Sequence, residues 1–247
     1  MKQIILHIPH SSVNIPFKHG YITNDKILAD EILKLTDWYT DDLFHSDKDL
    51  IIKADFSRIF CDVERFIDDE HEPMSQFGMG VLYVKSDDGK IIRNLTTDLR
   101  KRILNDYYWL HHRYLGMAVK NQLDKHKKAV IIDCHSFPHI PLNSSLNKDA
   151  YRPDFNLGTD PFHSPQKLID LSVDFFNKKG YTLGINRPYN GTIVPLEYYQ
   201  KNKNVNSMML EVNRKLYLNG LTNEKSKNYS EIKMLIQEYI KEIKNCI

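Results

Sequence analysis

Two histidines that stand where apolar runs end are the residues of this chain best suited to chemistry. Val130-Ile131-Ile132 leads into Asp133-Cys134-His135-Ser136, and Ile4-Ile5-Leu6-His7-Ile8 leads into Pro9-His10-Ser11-Ser12. A short apolar, β-branched run that ends in polar residues reads as a buried strand delivering them to a sheet edge, where open α/β folds keep their ligands. His10 and His135 thus suit a metal site assembled from two strands. A third apolar run, Met208-Met209-Leu210-Glu211-Val212, carries a carboxylate that it does not need for stability, which suits Glu211 to a general base. Zinc hydrolysis calls for three protein ligands, usually His and carboxylate, and a further carboxylate that handles the proton of water. The third ligand is expected on an intervening element. Asp37 in Leu35-Thr36-Asp37-Trp38 fills that place, with Asp41 one helical turn later as the alternative.

Anion recognition has its own residues. In Ser57-Arg58-Ile59-Phe60-Cys61-Asp62-Val63-Glu64-Arg65, Arg58 and Arg65 are guanidinium groups with carboxylates nearby to hold them, and arginine binds a carboxylate bidentately. The loop Asn186-Arg187-Pro188-Tyr189-Asn190-Gly191-Thr192 contains an Asn-Gly turn whose backbone N–H groups can receive an oxyanion, with Arg187 as reinforcement. In Tyr108-Trp109-Leu110-His111-His112, one histidine can face the site as an acid or as a donor behind the residues that touch substrate. Nucleophile mechanisms find less support. No serine lies in a Gly-x-Ser-x-Gly elbow, and Cys134 and His135, adjacent on a strand, point to opposite faces. Neither a Walker pattern nor G-x-G-x-x-G is present.

The elements that must position these groups follow from periodicity. Helical spacing runs over 24–44, 96–126, 164–179 and 230–244, with Thr23 or Asn24 as cap of the first. Strands are expected at 4–8, 49–54, 79–84, 130–133, 181–185 and 206–212, the third ended by Asp87-Asp88-Gly89. Residues 136–160 read as a long loop, and loops of that length in compact domains usually serve function. Alternating strands and helices predict a three-layer α/β/α fold with a mainly parallel or mixed sheet and helices on both faces, in a single domain over 1–247.

Composition narrows the class. At 41% hydrophobic and 27% charged residues the chain is ordinary for a globular protein, and its formal net charge of +2 gives no sign of a nucleic-acid surface. Three cysteines without a C-x-x-C pair suit a reducing compartment and rule out a cysteine zinc site. With no signal-peptide pattern at the start and no apolar stretch of membrane-spanning length, a cytoplasmic protein without membrane contact is expected.

Taken in order, Pro9-His10-Ser11-Ser12 with Ile15-Pro16, Thr36-Asp37-Trp38 with Asp41, Ser57-Arg58 with Asp62 and Arg65, Tyr108 with His112, Asp133-Cys134-His135-Ser136, Arg152-Pro153-Asp154 with Leu157-Gly158, Asn186 with Pro188-Tyr189 and Gly191, and Glu211-Val212 resemble the N-formylglutamate amidohydrolase family. The resemblance implies a fold similar to zinc-dependent exopeptidases and phosphorylase/hydrolase-like proteins. It also implies one Zn²⁺ per chain and cleavage of N-formyl-L-glutamate to formate and glutamate in histidine breakdown. On that reading His10, Asp37 and His135 hold the metal, and Glu211 and His112 act in catalysis. Arg58, Arg65, Ser136, Asn186, Arg187, Tyr189, Gly191 and Thr192 meet a small-molecule substrate. The protein is expected to be a monomer or homodimer. Two departures are visible: Ser12 stands where the family commonly has glycine, and Arg187 where it commonly has aspartate. The same chemistry on another N-acyl amino acid or a peptidoglycan stem peptide is the alternative, as is an inactive amino-acid-binding protein.

Overall fold

The computed structural model describes residues 3–220 and 222–247. Strands β1 (Ile5–Ile8), β2 (Leu50–Lys53), β3 (Ala129–Phe137), β4 (Phe155–Gly158), β5 (Leu183–Ile185) and β6 (Val205–Asn213) form one sheet in the order β2-β1-β3-β6-β4-β5. β1 runs parallel to β2 and β3, and β3 parallel to β6. β4 is antiparallel to β6 and parallel to β5, so the sheet is mixed.

Every residue of β3 and β6 is buried. A strand covered on both faces sorts its side chains by parity. Even positions, among them Ile132, Cys134, Met208, Leu210 and Val212, pack with Leu168 and Phe176 of helix α5 (Gln166–Lys178) and with Ile236 and Tyr239 of helix α6 (Tyr229–Cys246). Odd positions such as Ile131 and Val205 pack with Leu115 and Val119 of helix α4 (Trp109–His126). The predicted layers, with helices on both faces, are therefore present. Of the polar odd residues, Asp133 and His135 find partners within the protein, whereas Glu211 keeps one oxygen without any.

Helix α1 (Asp25–Leu35) begins at Asn24, whose side chain accepts the N–H of Ile27, and ends where Thr36 turns extended. Asp37 then donates its N–H to the His10 carbonyl at 2.9 Å, tying this linker to the turn after β1 before helix α2 (Thr40–Leu43) starts. The helical span 96–126 is helix α3 (Thr97–Ile103), a π-turn over Leu104–Tyr108, and α4.

Two expectations fail. Met79–Val84 is irregular and joins no strand, although Met79, Val81, Leu82 and Tyr83 are buried. Its apolar residues cover Leu28, Phe60 and Ile103, so burial without sheet pairing produced the apolar run. The long segment 136–160 is not loop throughout, because it holds β4, the strand that runs against β6.

Candidate metal centre and active site

The cleft at the C-terminal ends of β1, β3 and β6 encloses roughly 1370 Å³. Its floor brings together His10 from the turn after β1, Asp37 from the α1–α2 linker, His135 on β3 and Glu211 on β6. His10 Nδ1 lies 3.3 Å from His135 Nδ1 and 3.8 Å from Asp37 Oδ2, and His135 Nδ1 lies 3.1 Å from the same oxygen. Three ligand atoms thus converge on one point.

The far side of each group is engaged by another residue. His10 Nε2 meets Asp62 Oδ1 at 2.8 Å, and His135 Nε2 meets Asp133 Oδ1 and Glu64 Oε2, each at 3.0 Å. Asp37 Oδ1 accepts Arg214 Nη2 at 2.9 Å. Carboxylates behind ligating histidines orient the rings and leave the other nitrogen free for a cation. Charge points the same way. Asp37 is paired with Arg214 and Asp62 with Arg58, but among the described residues Glu64, Asp133 and Glu211 have no Lys or Arg at ion-pair distance. The donor set, with Glu64 and Asp133 compensated only by histidines, fits a divalent cation held by His10, Asp37 and His135.

The titrating groups respond to the same field. Burial opposes charge on Asp37, yet the His135 hydrogen bond and the Arg214 guanidinium hold it below the usual carboxylate range. Burial likewise disfavours charge on His135, but Glu64 and Asp133 outweigh it and keep the imidazolium well above its ordinary value. Glu211 goes the other way. Burial, with Asp37 and Glu64 adding their charges, pushes its carboxyl up to about 8, and its Oε2 has no hydrogen-bond partner. Buried polar atoms without partners are uncommon, and one aimed at a cleft marks a group kept for a ligand or a proton.

The remaining sequence assignments divide. Arg58 lines the cleft but spends Nε and Nη2 on Asp62 Oδ2, at 3.2 and 2.9 Å, and reaches Tyr83. Arg65 lines it with Nε buried and unpartnered, its nearest carboxylate oxygens being Asp62 Oδ2 at 3.5 Å and Glu72 Oε1 at 3.9 Å. Ser136 accepts Arg214 Nε on its hydroxyl and donates its N–H to Asp37 Oδ2, so it is turned to holding Asp37. His112 lines the cleft, but its Nε2 lies 2.8 Å from the Val63 carbonyl and burial lowers its pKa to about 4. That geometry makes it a neutral ring that anchors the Asp62–Arg65 segment. Tyr189, Asn186, Gly191 and Thr192 all border the cleft. Asn186, at a left-handed φ of 54°, pairs its amide with Thr159, and Thr192 Oγ1 pairs with Ser207.

Two assignments are corrected. Arg187 does not line the cleft; its side chain is 66% exposed and pairs with Asp149. Asp41 sits on α2, away from the cleft, near Lys53. The first turn after Asn186 carries the Arg187 side chain outward, and one helical turn beyond Asp37 the chain has already left the site.

The sequence reading gave no role to Arg214, which meets Asp37, to Asp133, which meets His135, or to His7, which meets Asp133. Asp133 Oδ1 receives His7 Nδ1 at 2.8 Å as well as His135, and His7 Nε2 meets His111 Nε2 at 2.8 Å. A histidine inside an otherwise apolar strand, as His7 is, was the available signal. For Arg214 the signal was weaker, an arginine directly after a buried strand.

The N-formylglutamate amidohydrolase family model matches residues 2–218. No curated protein sequence matches the chain. Among solved structures, the crystal structure of N-formylglutamate amidohydrolase from Ralstonia eutropha JMP134 superposes with a TM-score of 0.84 at 21% identity, covering 98% of this chain and 93% of that one. A gene product of Agrobacterium tumefaciens superposes with a TM-score of 0.69 at 17% identity, covering 98% and 90%. At such identities the likeness speaks for the fold.

Proposed function

The chain belongs to the N-formylglutamate amidohydrolase family, and on that footing we propose that it is a single-domain, zinc-dependent hydrolase that cleaves the formyl amide of N-formyl-L-glutamate, giving formate and glutamate. The observation that carries this reading is the convergence of His10 Nδ1, His135 Nδ1 and Asp37 Oδ2 beside a Glu211 oxygen that has no partner. His10, Asp37 and His135 hold one zinc ion per chain, which when bound supplies Lewis-acid polarisation of the acyl carbonyl.

The protein's own groups do the rest. Glu211 takes a proton from the water that attacks the formyl carbon and delivers it to the amine as the C–N bond breaks. Arg65, with a buried donor to spare, reads a substrate carboxylate, and Arg58 adds positive charge while holding Asp62. Tyr189 and the turn through Gly191 wall the site on the other side. A role in histidine breakdown in the cytoplasm accords with this substrate.

The test is turnover. Purified protein should release formate from N-formyl-L-glutamate, lose that activity with a chelator and regain it with Zn²⁺. Activity that persists in protein shown to be free of metal would overturn the reading.

A further inference from the structure

β1 and β3 set His7 and Asp133 in register on parallel strands, so both side chains take the same face of the sheet. His135 takes that face two residues further along β3. Glu64 comes to the pair from the irregular segment after β2, with its side chain at the wall of the cleft. Behind His135 these groups converge on a point of their own. His7 Nδ1 lies 2.8 Å from Asp133 Oδ1 and 3.6 Å from Glu64 Oε1, and one ligand atom from each of the three lies within 4.8 Å of the other two.

That spacing fits a metal ion. Bonds of about 2.0–2.2 Å from zinc to nitrogen and oxygen set the ligand atoms of a tetrahedral site about 3.3–3.6 Å apart, so closing this group on an ion asks for shifts of about half an ångström. The separations among His10, Asp37 and His135, from 3.1 to 3.8 Å, ask for as much.

The surroundings leave the right atoms available. His7 Nε2 lies 2.8 Å from His111 Nε2, so a proton on His7 Nε2 has an acceptor and Nδ1 keeps its lone pair. Asp133 Oδ2 accepts the Ile193 N–H at 3.2 Å, while Oδ1, which meets His135 Nε2, has a second lone pair to give. Glu64 turns Oε2 to His135 Nε2 and Oε1 towards His7. Partners that orient each ligand from behind, and a way in, are what a metal site needs besides its donors. The way in is the cleft, which Glu64 and Asp133 both line.

Charge agrees with geometry. His7 is 0% exposed and Asp133 1%, and among the described residues neither Asp133 nor Glu64 has a Lys or Arg at ion-pair distance. An apolar side chain would serve the interior of β1 better than an imidazole facing two carboxylates, because buried polar groups are costly unless they are paired or bind a metal.

We propose that His7, Glu64 and Asp133 form a second site for a divalent transition-metal ion, beside the catalytic zinc. The inference adds to the function proposed above and leaves its ion, its residues and its substrate as they are. One imidazole with two carboxylates favours Zn²⁺ or Mn²⁺ over Mg²⁺ and Ca²⁺, which take oxygen ligands. The second ion binds more weakly than the first, since both carboxylates are shared with His135.

The test counts ions. Chelator-treated protein is dialysed to equilibrium against rising free Zn²⁺, and bound zinc is measured by elemental analysis in the wild type, His7→Asn, Glu64→Gln and His10→Ala. The wild type should take up two ions per chain, the second at higher free Zn²⁺, and His7→Asn and Glu64→Gln should each stop at one. A wild type that stops at one, or a second ion that persists in both of those variants, overturns the site. His10→Ala should lose the stronger ion and keep the weaker, which lets the catalytic centre and this site fail separately. Should His7→Asn not fold by circular dichroism, Glu64→Gln decides alone, because its side chain is 17% exposed at the cleft and is not needed to fill the core.

Discussion

His135 and Glu211 are cross-strand partners, paired in register on the parallel strands β3 and β6. Residues level with each other on neighbouring strands point to the same face, so an imidazole whose Nδ1 faces the proposed ion and a carboxyl with an unpartnered oxygen stand side by side on two wholly buried strands. This register separates two roles: one side chain to bind, the other to move a proton.

Glu211→Gln should therefore retain zinc and lose turnover. The expected fall in kcat is roughly a hundredfold or more, the usual scale of acid–base contributions. Metal content measured alongside kcat decides it, and a variant that purifies without zinc would make Glu211 a ligand instead.

The same residue predicts the pH dependence of stability in the ion-free protein. Its carboxyl titrates at about 8 in the fold against an ordinary 4.5, so between those values the folded chain keeps a proton that the unfolded chain has lost. Its contribution to stability is lost as pH rises through that window. Melting curves of chelated protein from pH 5 to 9 should show this decline, and Glu211→Gln should flatten it. Identical pH profiles for the two proteins would count against a raised Glu211.

Loading the ion should expel protons. Without it, His135 and Glu211 both favour their protonated forms near neutral pH, and a metal ligand must give up its proton to bind. Calorimetric zinc titrations at pH 7 in buffers of different ionisation enthalpy should report net proton release. Buffer-independent heats would contradict the assignment of His135 as a ligand.

Arg65 and Arg187 should separate in specificity assays. Arg65→Ala removes a guanidinium that lines the cleft, and with charged hydrogen bonds worth about 1.5–3 kcal/mol it should lower kcat/KM for N-formylglutamate by about tenfold or more, with a smaller loss on N-formylglutamine. Arg187→Ala breaks an exposed pair and should change kcat/KM by less than about threefold. Comparable losses in both variants would mean that Arg187 turns inward to meet substrate.

Arg214→Lys tests whether this residue positions Asp37. A lysine keeps the charge but cannot reproduce contacts to Asp37, Ser136 and the Lys34 carbonyl at once. Zinc affinity should weaken by about 10–100-fold, the usual cost of losing a group that orients a ligand. Unchanged affinity would reduce Arg214 to a packing role.

Much of the site could be read from local pattern. Apolar runs ending in His10 and His135, a carboxylate closing the run at Glu211 and Asp37 just past a capped helix are signals that lie within a few residues of each other, and the strands and helices carrying them follow from periodicity alone. Partner choice is different, because alternation tells which face a side chain takes and not what stands across from it. Arg214 meets Asp37 across 177 positions of sequence, and Arg187, which looks equally available in the sequence, turns to Asp149 and away from the cleft. β4 was hidden for a related reason: all four of its residues are buried, so Phe155-Asn156-Leu157-Gly158 shows no sustained alternation, and only its place between β6 and β5 makes it a strand. The sequence determined which groups are present and which ends of which elements carry them. The tertiary structure decided their pairing, because hydrogen bonds and charge compensation in a buried site depend on distances between segments that no local spacing encodes.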